Sequence, residues 1–201
     1  MDDTLVYPYR PGSLYINLTN ECGNACVFCA RSSGWMRLGP FELLLSSEYG
    51  IEEYQIAIDA RVEKRGKPGE FVFCGYGEPT TRIRLLLELS EWIRDTYGVP
   101  IRLNTNGTTG LIHGAGLLGE LASVVDRVNV SLNAPDEESY DRICRPRTGS
   151  GTFSHVIGFA RLMKLYGVDL WCSAVNQVLS AEELSALREL LRFLNIPLRL
   201  R

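Results

Sequence analysis

The sequence has little histidine, no basic excess and no long apolar run. Only His113 and His155 occur in 201 residues. Neither stands at metal-ligand spacing from other donors, so both read as surface or cap residues. No stretch reaches the ~18–20 apolar residues of a membrane span, so no helical span is expected. The formal net charge is −3. That gives no global case for nucleic-acid binding, which leaves a basic footprint, although a local basic patch stays open. Met1-Asp2-Asp3 opens acidic, unlike a secretory signal. The expected compartment is the cytoplasm. No low-complexity linker and no repeat beyond an alternation of elements is visible.

The length suits one domain over residues 1–201, since domains hold roughly 100–200 residues. A chain of this size buries about 70% of its unfolded surface and needs no disulfide or metal to hold a core. The six cysteines are therefore expected to be reduced, some of them binding metal. Cys74, Cys144 and Cys172 are scattered and read as small core hydrophobes. Cys74 is the best site-lining candidate of the three, because it abuts a glycine-rich loop.

The other three cluster. Cys22, Cys26 and Cys29 lie in ECGNACVFCARSS with spacing C-x3-C-x2-C. A [4Fe–4S] cluster normally takes four thiolates. Three ligands leave one iron open to bind and activate a small molecule, the logic that separates catalytic from structural zinc sites. Half a zinc site is the competing reading, but no fourth Cys or His follows at short range.

Short apolar runs alternate with segments of helical period. Strands are expected at Leu14–Leu18, Phe71–Cys74, from Ile101, at Arg127–Leu132, Asp169–Val175 and Ile196–Leu200. Helices are expected around Ile51–Val62, Leu85–Ile93, Ala115–Val124, Val156–Tyr166 and after Ser180, whose pairing with Glu183 forms a capping box. Asp136 to Ile143 reads as a loop with a short turn. Six strand–helix units, the last without its helix, argue for a parallel sheet with right-handed crossovers. Either an open doubly wound sheet or an incomplete barrel fits. The cysteine loop, Gly75-Tyr76-Gly77-Glu78-Pro79, Asn104-Thr105-Asn106-Gly107, Ser131-Leu132-Asn133 and Val175-Asn176-Gln177 all follow successive strands. In an α/β barrel those ends face one site, which favours a barrel-like arrangement.

On these motifs the chain resembles the radical S-adenosylmethionine (SAM) enzymes over nearly its whole length. It is similar in particular to the short subfamily encoded beside TatD-type hydrolases. The resemblance implies an α/β fold, a partial (β/α)6 TIM-type barrel. It also implies a [4Fe–4S] cluster held by Cys22, Cys26 and Cys29, with SAM chelating the fourth iron. The family's reaction starts with one electron entering the cluster. Reductive cleavage of SAM then gives methionine and a 5′-deoxyadenosyl radical, which abstracts a substrate hydrogen. The cofactors carry this step while the protein positions and shields.

The resemblance also assigns SAM contacts. Phe28 matches the aromatic position flanking the adenine. Tyr76-Gly77-Glu78-Pro79 matches a Gly-Gly-Glu-Pro motif, with Tyr76 replacing the first glycine. Its carbonyls and Glu78 suit the SAM ammonium group, and its glycines allow a close backbone approach. Asn104 is a site-facing strand end, while Asn106 serves the turn. Ser131 and Asn133 match positions reaching the SAM ribose or carboxylate, and Asn176 a position near the adenine. Arg145 is expected to grip the SAM carboxylate or an anionic substrate. The implied partners are an electron donor such as flavodoxin or ferredoxin, an unidentified substrate and a functional link to a TatD-type hydrolase.

The substrate is not readable: a metabolite or nucleobase, a peptide, or a protein glycine all remain. The sequence ends at strand six, so no auxiliary-cluster domain is expected. Deazaguanine-forming members carry a magnesium-coordinating residue just after the last cysteine; Ala30 and Arg31 stand there, with Ser32 and Ser33 close by. The rival of a different class is a non-catalytic Fe–S electron carrier or sensor, which fills its fourth iron position with protein.

Overall fold

The computed structural model describes residues 4–31, 34 and 36–201. Met1, Asp2, Asp3, Ser32, Ser33 and Trp35 lie outside the described residues, and with them the acidic start and the two serines considered for magnesium.

One seven-stranded sheet organises the chain: β1 (Val6–Tyr7), β2 (Ser13–Ile16), β5 (Glu70–Phe73), β6 (Ile101–Thr105), β7 (Arg127–Ser131), β8 (Asp169–Ala174) and β9 (Leu198–Leu200), side by side in that order. From β2 to β9 all pairs are parallel, and β1 joins β2 antiparallel. The six expected strands are all present, in sequential order. Among the described residues the edges at β1 and β9 do not pair, so the sheet is an open partial barrel. A separate hairpin, β3 (Arg37–Leu38) and β4 (Phe41–Glu42), was not expected; its two-residue strands are too short to show a period.

Helices α1 (Ile51–Arg65), α2 (Ile83–Tyr97), α3 (Thr109–His113), α4 (Leu117–Val124), α5 (Glu137–Cys144), α6 (Thr152–Leu165) and α7 (Ala181–Phe193) fill the connections. The capping box opens α7, with Glu183 N donating to Ser180 Oγ and Ser180 N to Glu183 Oε2. The segment read as a turn is the helix α5. Asp136 caps it by accepting from Ser139 N at 2.8 Å, and Tyr140, Ile143 and Cys144 bury one face.

The strands alternate sharply. One face carries Ile16, Phe71, Phe73, Ile101, Leu103, Val128 and Val130, all fully buried in one cluster with residues of α2, α6 and α7. This is the hydrophobic core. The opposite, concave face is largely polar. Register places Arg102 beside Arg127, Asn104 beside Asn129, Asn129 beside Trp171 and Ser131 beside Ser173. Closed α/β barrels fill this face with branched apolar side chains. Here, among the described residues, an apolar patch lies at the β1–β2 edge, where Tyr7, Tyr15 and Val72 meet Leu38 and Phe41 of the hairpin, with Trp171 farther across the sheet.

Candidate active site

The loop after β2 carries Cys22, Cys26 and Cys29, none of them in a disulfide and all partly exposed. It is strapped down by the end of α5. Val27 N donates to Ile143 O at 2.9 Å, Ala25 N to the carbonyls of Cys144 and Arg145, and Arg147 N to Gly23 O at 2.8 Å. Arg145 adopts a left-handed conformation (φ 47°) that turns the chain after α5. Its backbone carbonyl thus serves the cysteine loop, while its side chain is exposed and does not line the cavity below.

The loop after β5 lies directly against the cysteine loop. Gly77 N donates to Thr19 O at 2.9 Å and Glu78 N to Glu21 O at 2.7 Å. A Cβ on Gly77 would stand 2.3 Å from Glu21 O, and one on Gly75 1.9 Å from Asn17 Oδ1. The glycines are therefore required by loop-on-loop packing. Asn17 joins the two by accepting from Tyr76 N at 3.0 Å.

Glu78 is buried and ties this loop to the end of β6. Its Oε1 accepts from Thr80 N, Thr80 Oγ1 and Thr105 Oγ1, and its Oε2 from Asn106 N at 2.7 Å. Burial pushes its pKa up, against the lowering effect of these four donors. Oε2 holds one donor and retains capacity for another. Asn106 has two duties: its Oδ1 makes the expected turn with Thr108, and its Nδ2 donates to Cys22 Sγ at 3.8 Å. Asn24 N adds a second donor to the same sulfur at 3.4 Å.

One cavity gathers these groups. Cys22, Cys26, Cys29 and Phe28 line one side, and Tyr76, Gly77 and Glu78 another. Asn104, Ser131 and Asn133 close it from the ends of β6 and β7. Asn133, at φ 59°, is largely committed to structure: its amide donates to Ser131 O, and its Oδ1 accepts from Val175 N. Of the sequence-derived contacts, only Arg145 and Asn176 stand off the lining. Asn176 is exposed and begins a short 3-10 turn, its N–H donating to Arg201 O.

Three features of the site were not anticipated. Cys74, read as a core thiol with a lining role as its alternative, lines the cavity, and Arg201 joins it, with a guanidinium nitrogen 3.4 Å from Ser131 Oγ. Asn106, read as a turn residue, reaches a cysteine sulfur. Cys144, read as core, is fully buried yet lies within hydrogen-bonding reach of Cys26. That contact, helped by Asn24 and opposed by burial, holds the Cys26 thiol below its ordinary value. Cys22 is pushed up to about 11 by burial, so iron must displace its proton. Cys172 is a core thiol, pushed up to about 12 by burial. The two histidines bond backbone carbonyls, His113 that of Thr80 and His155 that of Gly151. Among the described residues no group of three His, Cys, Asp or Glu side chains is arranged around a single metal ion.

The family model described as the radical SAM superfamily matches residues 16–194. The chain belongs to the radical SAM superfamily. It is 29% identical over 180 residues to a GTP 3′,8-cyclase of Rhodococcus opacus, covering 90% of this chain and 47% of that one. It is 31% identical over 121 residues to a probable dual-specificity RNA methyltransferase RlmN of Synechococcus, covering 58% of this chain and 33% of that one. The chain spans less than half the length of these curated radical SAM relatives. Among solved structures it is similar to Streptococcus suis SuiB bound to S-adenosylmethionine, with TM-score 0.71 and 18% identity, over 94% of this chain and 40% of that one. It is also similar to anSMEcpe with bound AdoMet, with TM-score 0.66 and 23% identity, over 92% and 50%. These likenesses show a radical SAM partial-barrel fold. Membership implies SAM and an iron–sulfur cluster as cofactors. The finer placement beside TatD-type hydrolases rests on the sequence resemblance alone. Among the described residues no helix is long and apolar enough to cross a membrane.

Proposed function

We propose that this chain is a radical SAM catalytic core in which Cys22, Cys26 and Cys29 hold a [4Fe–4S] cluster and SAM completes the fourth iron. The carrying observation is the convergence of three cysteine thiols outside any disulfide, the Gly77-Glu78 loop and the polar ends of β6 and β7 on one cavity. The donor set fits the cluster: cysteine thiolates are its usual ligands, and N–H donors to sulfur tune its potential. Asn24 N and Asn106 Nδ2 supply such donors to Cys22. When bound, cluster and SAM supply a 5′-deoxyadenosyl radical for hydrogen abstraction.

The protein's part is positioning. Phe28 offers an apolar face for the adenine. The carbonyls of Tyr76 and Gly77, with the free acceptor site on Glu78 Oε2, receive the SAM ammonium group. Asn104 and Ser131 offer hydrogen bonds to its ribose and carboxylate, and Asn133 holds the β7 and β8 ends in register beside them. Arg145 and Asn176 are placed to act through backbone contacts at the rim. A low-potential donor such as flavodoxin or ferredoxin supplies the electron, and a TatD-type hydrolase is a proposed functional neighbour.

One observation favours the Fe–S carrier or sensor instead: Cys144 stands beside Cys26, near enough to the loop to compete as a fourth protein ligand. Anaerobic reconstitution with iron and sulfide should give about four irons per chain. Dithionite and SAM should then yield 5′-deoxyadenosine. A four-iron protein that leaves SAM intact would sink the proposal and leave the carrier reading.

A further inference from the structure

The concave face of the sheet continues below the candidate SAM site as a second cavity of about 370 Å³, sharing Cys74, Asn104 and Arg201 with it. A third, of about 410 Å³, carries on toward the N-terminal ends of the strands and shares Arg10, Arg102, Trp171 and Arg199 with the second. Each lies within the range of ligand pockets for small molecules. The cysteine loop therefore opens onto a channel of adjoining, metabolite-sized cavities with shared walls.

Its charge is unlike that of the chain. The protein carries −3 overall. Among the described residues the second cavity is lined by four arginines, Arg10, Arg102, Arg199 and Arg201, and by no Asp or Glu side chain. Arg102 is neutralised by Glu70 from the layer below, at 2.8 Å. Arg127 is met by the same Glu70 and by Asp169. Arg10, Arg199 and Arg201 have no carboxylate partner among the described residues.

These groups are preorganised. The Arg199 guanidinium lies 3.8 Å from the centroid of the Trp171 ring, a stacked geometry that fixes its plane. Arg201 is held from the SAM side by Ser131. Between them the wall carries two orphaned polar groups: Asn129 Oδ1 and Ser173 Oγ are buried with no hydrogen-bond partner among the described residues. Asn129 is 7% exposed and Ser173 2%. Groups buried unpaired are costly and call for a ligand or water to satisfy them.

We propose that this channel is the substrate site and that it takes a metabolite-sized organic anion, held through a phosphate or carboxylate by Arg10, Arg199 and Arg201. Planar guanidinium forks match either group in bidentate fashion. Asn129 and Ser173 meet the substrate's neutral polar part. The inference rests on the radical SAM reading above and adds the substrate class.

The test is calorimetric titration of the reconstituted, SAM-loaded protein with inorganic pyrophosphate and, separately, with citrate. Saturable binding of one or both is expected, with a dissociation constant of about 1 mM or tighter, weakening as salt rises. The better probe tells phosphate from carboxylate. Arg199→Gln and Arg10→Gln should each weaken it about tenfold. Arg10 lies outside the core, so its variant remains informative if loss of the Arg199–Trp171 stack disturbs folding. Arg84→Gln, at an exposed surface pair with Glu120, should bind as the parent does. No saturable binding of either anion, binding of a single-stranded RNA oligonucleotide alone, or unchanged affinity in both variants would overturn the site. Iron content and 5′-deoxyadenosine formation are measured on the same preparation. Anion binding failing while SAM is cleaved rejects the anion site alone. Anion binding persisting without SAM cleavage rejects the radical SAM chemistry alone.

Discussion

Glu78 is the residue whose removal tests the site's construction most sharply. Glu78→Ala removes the acceptor of two buried backbone donors, Thr80 N and Asn106 N, and of two threonine hydroxyls. A buried donor left unsatisfied costs about 1–3 kcal/mol, so the two backbone groups alone lose about 2–6 kcal/mol. Deleting a desolvated carboxylate returns part of this, which leaves about 3 kcal/mol. For a chain of this size that lowers the melting temperature by about 6–12 °C. Glu78→Gln keeps one carbonyl oxygen and should cost less, about 1–2 kcal/mol. Urea unfolding of the cluster-free protein at neutral pH, followed by circular dichroism, measures both. Because Asn106 hangs on Glu78 and reaches Cys22, the alanine variant should also lose iron faster on exposure to a chelator. An alanine variant within about 0.5 kcal/mol of the parent, with unchanged iron retention, would refute the claim that Glu78 locks the two loops.

Gly77→Ala should destabilise by about 3 kcal/mol, read by urea midpoint, since its Cβ would meet two backbone oxygens of the cysteine loop. Asn106→Ala removes the Nδ2 donor to Cys22 and should make the cluster's midpoint potential more negative in a redox titration followed by EPR. Glu70→Gln leaves Arg102 uncompensated and Arg127 with Asp169 alone, and should cost about 2 kcal/mol at neutral pH. Burial raises Glu70, but hydrogen bonds from Arg102 and Ser13 and the charges of Arg102 and Arg127 outweigh it and hold the carboxyl low. Its stabilisation is therefore present above the unfolded value near ~4.3 and is lost as pH falls through the lower folded value. The parent's urea midpoint should thus fall more steeply below about pH 4 than that of the glutamine variant.

The strand–helix alternation and the polar strand ends were legible because each is a local pattern. I-R-L-N-T in β6 and R-V-N-V-S in β7 alternate as a two-faced strand must, and the faces fall as that alternation requires. The hairpin and α3 were not legible, since two to five residues hold no full period. Helix α5 was missed although Asp136 three residues before Ser139 offered a capping signal. The site's deeper wiring depends on long-range approach. Nothing local places Cys144 against Cys26 across more than a hundred residues, brings Arg199 of the last strand over Trp171, or brings Arg201 to Ser131. Likewise, Gly77 signals a tight place, but only the packed loops show that the crowding comes from Thr19 and Glu21. Arg145 was read for its charge, whereas its carbonyl and left-handed backbone are what the fold uses.

The central claim is that three cysteines leave one iron of the cluster for SAM. EPR of the dithionite-reduced, reconstituted protein, recorded before and after adding SAM, tests it most directly. The spectrum should shift on SAM addition, in the parent and in Cys144→Ala alike, and should be absent in Cys26→Ala. A spectrum indifferent to SAM, with a cluster that is lost when Cys144 is removed, would show a fourth protein ligand and contradict the account.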